Sequence, residues 1–231
     1  MAKPLESLFH VYESLVVLDT ETSGLRFEYD EIIELSAVLV QMVDGEPVIT
    51  EEYDQLIRLS PGRRLDPRIT QLTGITEAEL AEEGIDKAEA CRDFAALLGH
   101  GRTLIVAYNA HFDLSFLYYF LCRSGDPSVL RTPDVLDALS IYKDRRAYPH
   151  KLKDAIDAYD LHGKVVNSHR AIDDVKATVE VLKAMDQECC DLDRYINLFG
   201  YNPKYGVQGK RIGSVTYAPQ PYNGCKKLYE P

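Results

Sequence analysis

The sequence predicts an α/β fold, a mixed sheet covered by helices. Three observations carry this. The first sixty residues hold three segments rich in β-branched and apolar residues, with an Asp44–Gly45 hairpin signal between the second and third. From residue 86 onward, helical apolar spacing alternates with short apolar runs. A chain of 231 residues with 45% hydrophobic content also suits one sizeable core.

Residues 14–19 read as the first strand. EIIELSAVLVQM (31–42) reads as the second, and PVITEEYDQLIRL (47–59) returns as the third. SPGRRLDP is a loop punctuated by two prolines. In ITEAELAEEG, Thr76 precedes Glu79 by three residues, the spacing of a capping box. Residues 86–98 place apolar side chains at helical spacing, and TLIVAYN (103–109) is a short buried strand. FDLSFLYYFLCRSG (112–125) is an amphipathic helix ending at Gly125. PDVLDALSIYK starts as a strand and turns into a helix. KLKDAIDAYDL is a further helix, and HRAIDDVKATVEVLKAMDQECC is a long final one. There is no internal repeat.

Five cysteines, odd in number and without C-x-x-C spacing, argue for a reducing compartment without disulfides or structural zinc. The N-terminus lacks a basic-plus-apolar signal, and no apolar run approaches the ~20 residues of a membrane span. The expected location is cytoplasmic, with no membrane partner. The net charge of −11 argues against a general nucleic-acid coat protein. The charge is uneven: six cations against Glu230 alone give residues 194–231 a charge of +5, leaving −16 for residues 1–193. The expected organisation is therefore a domain over 1–193 and a basic, aromatic-rich extension over 194–231. The extension holds seven aromatics and four prolines but no sustained period. Its basic residues interleaved with tyrosines fit single-stranded nucleic acid, docking on another subunit, or packing on its own domain.

Three acidic points stand out. Asp19 and Glu21 lie one residue apart at the end of the first strand. Side chains i and i+2 share a face of a strand, so their charges repel unless a cation lies between them. The same residue types are also ordinary turn formers. Asp113 follows the strand 103–109 and opens a helix, where an acid also complements the helix dipole. His169 precedes the long last helix and Asp174 lies in its first turns, with Ser168 or Asn167 available as a cap. Each acid sits at the end of a core element, and in a mixed sheet such ends can converge on one edge. Four carboxylates and a histidine make a hard-oxygen set, suited to Mg²⁺ or Mn²⁺ rather than zinc.

These residues give the chain a specific resemblance. LDTETSGL, NAHFD and the His169-x-x-x-x-Asp174 spacing, in this order, resemble the DEDDh branch of the DnaQ-like 3′→5′ exonucleases, near the epsilon proofreading subunit of bacterial DNA polymerase III. The resemblance covers about residues 13–190. It implies a ribonuclease H-like, mixed five-stranded sheet flanked by helices. It implies that Asp19, Glu21, Asp113 and Asp174 hold two Mg²⁺, with Mn²⁺ able to substitute, and that His169 is the general base. The sister branch has tyrosine where this chain has Arg170, and Asp173 does not fit the spacing and is expected on the surface. The ITQLTGIT segment resembles a family loop beside the active site. Thr20, Thr22, Gly24, Leu25, Thr73 and Asn109 match positions near the bound terminus, with Leu25 as an apolar wedge or a packed turn residue. The implied substrate is the 3′ end of single-stranded or frayed nucleic acid, DNA favoured over RNA, released as nucleoside 5′-monophosphates in proofreading or repair. A DNA polymerase subunit is an implied partner, and a homodimer is left open. The alternatives are an exoribonuclease that trims RNA 3′ ends and a non-catalytic module that binds nucleic acid or a polymerase.

Overall fold

The computed structural model describes residues 3–165, 170–221 and 227–230. Its centre is a five-stranded mixed sheet. In chain order the strands are β1 (Ser14–Thr22), β2 (Ile32–Val43), β3 (Glu46–Leu56), β4 (Thr103–Ala107) and β5 (Asp134–Asp137), arranged β3-β2-β1-β4-β5. The meander β1-β2-β3 is antiparallel, while β4 and β5 run parallel to β1. The hairpin between β2 and β3 turns at Asp44 and Gly45, both at positive φ (52° and 78°), as a two-residue primed turn requires. Edge strand β3 exposes Glu46, Glu51, Glu52 and Asp54 to solvent, a row of charge that discourages further strand pairing.

The central strand β1 is buried from Ser14 to Leu18 because both faces of the sheet are covered. Its alternation divides the core. Leu15 and Val17 pack with Val38, Val40, Leu104 and Val106 beneath α6 (Ala138–Arg145), α7 (Leu152–Ala158) and α8 (Ala171–Cys189). Val16 and Leu18 pack with Leu35, Ala37 and Ile105 beneath α4 (Lys87–Leu97) and α5 (Ala110–Ser124). The short α1 (Glu6–Phe9) seats Leu5 and Leu8 in the first of these layers. The helices α2 (Pro67–Thr73) and α3 (Glu77–Glu82) cover a small third cluster of Ile33, Leu65, Ile75 and Leu80. The expected capping box is present: Thr76 Oγ1 accepts from the Glu79 N–H, and the Glu79 carboxylate accepts from the Thr76 N–H. No helix among the described residues is long and apolar enough to cross a membrane.

Besides the short α1 and α2, which the sequence reading did not predict, the structure departs from it in two places. β1 runs on to Thr22, because the start of β2 continues to pair with it: Asp19 faces Ser36 and Glu21 faces Glu34. Both acids therefore lie inside the strand, whereas the reading 14–19 ended it at Asp19 and left Glu21 beyond it. Residues 194–221 also contain short elements that no period announced: β6 (Leu198–Tyr201) and β7 (Thr216–Pro219) form a two-stranded parallel sheet. Four-residue strands, separated by turns with Gly206 and Gly209 at positive φ, are too short to show a period.

This segment closes the free edge of the main sheet. The Asn197 N–H donates to the Val135 carbonyl (2.8 Å), its Oδ1 accepts from the Val135 N–H (2.9 Å), and its Nδ2 donates to Asp134 (2.7 Å). Tyr195 is buried in one core layer and Phe199 in the other. Phe199→Ala should therefore destabilise the whole fold by ~3–5 kcal/mol, the usual range for emptying a buried Phe site. A urea unfolding curve checks this. The midpoint should fall with an unchanged slope; a small separate transition with the main midpoint retained would show that the segment is not part of the core.

Candidate active site

β1 carries Asp19 and Glu21 to the edge of the sheet at which β4 also ends. Two residues apart, they share the face of Leu15 and Val17, the face that α8 covers. α8 brings Asp174 in its first turn, and α5 brings a buried Asp113 in its own first turn. The four carboxylates feel one another. Burial pushes the Asp19 carboxyl well above its usual range, and the charges of Asp113, Glu21, Asp174 and Glu34 push it further. Glu21 is pushed up to about 8 by burial, then by Glu34, Asp174 and Asp113, with Arg170 acting against them. Burial raises Asp113 to about 7 although Thr20 hydrogen bonds favour its ionised form. Like charges held together out of water resist joint ionisation. A bound cation would offset that repulsion.

Thr20, one of the sequence-predicted residues, and Asp137, Glu34 and Arg170, which lie outside that set, hold these acids. The Thr20 N–H and hydroxyl both donate to Asp113 Oδ1 (3.0 and 2.8 Å). This ties α5 to the even-numbered face of β1. Asp137, the last residue of β5, accepts from the N–H groups of Asn109 (3.0 Å) and Ala110 (3.1 Å) and also caps α6. One buried carboxylate thus anchors the starts of two helices, and Asn109 can enter α5 at φ 75° without a side-chain cap of its own. Glu34, fully buried on β2 opposite Glu21, does the same for α8. Its Oε1 accepts from Arg170 Nε (2.9 Å) and Nη2 (2.6 Å), and its Oε2 from the Ala171 N–H (3.1 Å). Arg170 supplies no side-chain cap to α8, so Glu34 serves as one from across the sheet. Glu34 and Asp137 were visible as acids inside apolar strands, IIEL and DVLD, a pattern that marks a buried partner. Arg170 fills the tyrosine position of the sister branch with this clamp.

The RNase_T exonuclease family matches residues 16–182, more than half of the sequence. The chain belongs to that family. It is 33% identical over 183 residues to the "DNA polymerase III PolC-type" of Bacillus subtilis, covering 78% of this chain and 12% of that protein. It is 34% identical over 225 residues to the PolC-type polymerase of Clostridium perfringens, covering 94% of this chain and 14% of that one. The chain therefore spans about an eighth of the length of these curated relatives. The fold matches exonuclease I of E. coli in complex with a dT13 oligonucleotide, with a TM-score of 0.69 at 20% identity, over 79% of this chain and 43% of that one. Exonuclease I of Methylocaldum szegediense matches with a TM-score of 0.68 at 22% identity, over 78% and 41% of the two chains. The mixed five-stranded, ribonuclease H-like architecture and the nuclease class follow from this membership.

Exonucleases of this family are metal-dependent. Among the described residues no group of three or more His, Cys, Asp or Glu side chains forms a metal cage by itself. Mg²⁺ does not need one, because it takes one or two carboxylates, keeps several waters and shares its substrate's phosphate oxygens. An all-oxygen set of mutually repelling acids fits such an ion.

Of the remaining sequence-predicted residues, Leu25 is 77% exposed on the β1–β2 connection, free to meet a ligand. Thr22 Oγ1 donates to the Gly24 carbonyl (2.7 Å), shaping that connection, and Gly24 packs against the Asp30 carboxylate. Thr73 is buried at the end of α2, where its hydroxyl donates to the Ile69 carbonyl and accepts from the Ile75 N–H. Asn109 is exposed. Glu79, at the start of α3 beyond the ITQLTGIT segment, is close enough for Arg170 to act on its carboxyl. His169 lies outside the described residues; its neighbour Arg170 is placed by the Glu34 clamp.

The clamp is asymmetric, with the Glu34 side chain wholly buried and that of Arg170 41% exposed. Arg170→Ala would strand a buried charge, at a cost of about 3 kcal/mol or more. Glu34→Gln leaves a cation that water can reach and should cost clearly less. Thermal unfolding of the two variants checks the order; equal losses would mean that the pair is a surface contact.

Proposed function

We propose that this chain is a 3′→5′ exonuclease that removes nucleoside 5′-monophosphates from single-stranded or frayed DNA, in proofreading or repair. The observation that carries this reading is the convergence of Asp19, Glu21, Asp113 and Asp174 at one sheet edge, where Asp113 and Asp174 raise the cost of charge on Asp19 and Glu21. Two Mg²⁺, or Mn²⁺ in their place, would be held by these four residues and would stabilise charge on the scissile phosphate as Lewis acids. His169 takes the proton from the attacking water as general base. The water oxygen bonds to phosphorus in line with the leaving group, the bond from phosphorus to the 3′-oxygen breaks, and that oxygen takes a proton from solvent water while His169 later returns its own to solvent. Glu34 and Arg170 keep the start of α8 in place, so that Asp174 stays in register with β1. Exposed Leu25 meets the terminal base.

The likeness to PolC-type polymerases supports a place beside a DNA polymerase. The fold shared with an exonuclease I that was crystallised with an oligothymidylate supports single-stranded DNA as substrate. Digestion of 5′-labelled single-stranded DNA and RNA with Mg²⁺ tests the reading. A ladder shortening from the 3′ end, faster on DNA and abolished by chelator, is expected. Asp174→Asn should erase the ladder and Asp173→Asn should not, because one residue turns a side chain ~100° around α8. Asp174 is also one of the charges that raise Asp19 and Glu21. Internal cuts, or activity undiminished in excess chelator, would overturn it.

A further inference from the structure

At the start of α5, the helix that also carries Asp113, lies a cavity of about 290 Å³ that the C-terminal segment completes. One wall is the first turn of α5, with Asn109, His111 and Phe112; the other comes from the segment 199–217. The two walls are fixed to each other. His111 Nδ1 lies 3.0 Å from the Tyr217 hydroxyl, and its Nε2 meets the Gln208 carbonyl. Gly209, at φ 74°, packs so closely on Phe27 that a Cβ there would lie 2.7 Å from its ring. Phe27 in turn packs edge-on against Phe112 (centroids 5.8 Å apart), so the extension is seated on the same connection that carries Leu25.

The lining has the chemistry of a nucleobase site. Phe27, Phe112, Tyr201 and Tyr217 supply aromatic surface, and Asn202 and Gln208 supply amides. Asp137 also lines the cavity, but its oxygens already accept from four backbone N–H groups and the Ser140 hydroxyl, so it does not repel a ligand as a free carboxylate would. Lys143 stands at the wall as a cation. Next to the cavity, Lys210 Nζ lies 3.7 Å from the Tyr118 ring centroid and Arg211 lies 5.2 Å from that of Tyr217. Aromatic faces interleaved with cations are how proteins hold single strands without reading their sequence. Lys210 and Arg211 stand in the basic C-terminal extension of an acidic chain.

We propose that this cavity binds one unpaired nucleobase of the substrate strand, upstream of the terminal dinucleotide, with Lys143, Lys210 and Arg211 attending its phosphates. Asp113 faces Thr20 on β1, whereas His111, ~200° away around α5, faces the cavity, and none of the four acids lines it. A helix with its side chains is ~10 Å wide, which separates the cavity from the bond that the carboxylates address. The inference rests on the nuclease reading for its substrate, but binding tests it separately.

Two variants alter the cavity. Tyr201→Ala removes an aromatic wall, and Val207→Trp fills the space from a half-buried loop position. Melting temperature identifies any variant that fails to fold. Affinity for labelled octathymidylate is measured in chelator by fluorescence anisotropy, and turnover with Mg²⁺ on thymidine dinucleotide and octanucleotide. Loss of one base–aromatic contact should weaken octanucleotide binding and raise its KM on the order of 5- to 150-fold. Dinucleotide turnover should stay at the wild-type level. Equal losses on both lengths, or wild-type octanucleotide affinity in folded Val207→Trp, would overturn the proposal. If wild-type protein cleaves neither substrate, the nuclease reading fails, while the anisotropy comparison still decides the cavity.

Discussion

The repulsion among acids held out of water at one edge of the sheet is the constraint on which the rest of this structure depends. Asp19 and Glu21 cannot move apart, because β1 is the central strand and its neighbours β2 and β4 fix its register. Asp113 and Asp174 cannot retreat either. Each sits in the first turn of a helix whose start is tied down, by Asp137 for α5 and by Glu34 for α8. Without a cation, the raised carboxyls favour the protonated form of the folded state. Their contribution to stability is complete below the ordinary carboxylate range and is lost as pH rises through about 7 for Asp113 and about 8 for Glu21. A divalent cation reverses this sign by favouring the ionised acids. The fold therefore stores a preference for the ion that the family's chemistry requires.

The anchors have a common logic. Asp137 and Glu34 are both acids buried in apolar strands, and both accept from backbone N–H groups at a helix start. A helix N-terminus offers unsatisfied donors and a partial positive charge, so each acid finds a partner without bringing a second full charge into the core. Arg170 adds one to Glu34 only because its own side chain reaches water. Since Glu34 also raises the Glu21 pKa, this clamp is part of the site's electrostatics as well as its scaffold.

Much of this was legible in the sequence because the informative patterns were local. The three-strand meander, the primed hairpin at Asp44–Gly45, the Thr76–Glu79 box and the spacing of the three acidic motifs each depend on a few neighbouring residues. What was not legible depends on long-range pairing. The continuation of β1 through Thr22 is dictated by β2, and the roles of Glu34 and Asp137 depend on helix starts far along the chain. The C-terminal segment was the least readable. Its contribution comes from single residues such as Asn197 on β5 and Phe199 in the core, which leave no period behind. It closes a sheet edge and at the same time supplies one wall of the cavity beside α5.

The most direct test of the central claim is proton release on cation binding. Mg²⁺ titrated into metal-free protein in a weakly buffered solution at pH 7 should release roughly one proton or more per chain, because the ion displaces protons that the clustered acids retain. At pH 9.5, above the raised values, the same binding should release almost none. Release at pH 7 should shrink in Asp113→Asn, which removes one of the proton-holding groups. Cation binding with no proton release at either pH, or release unchanged in that variant, would contradict the account.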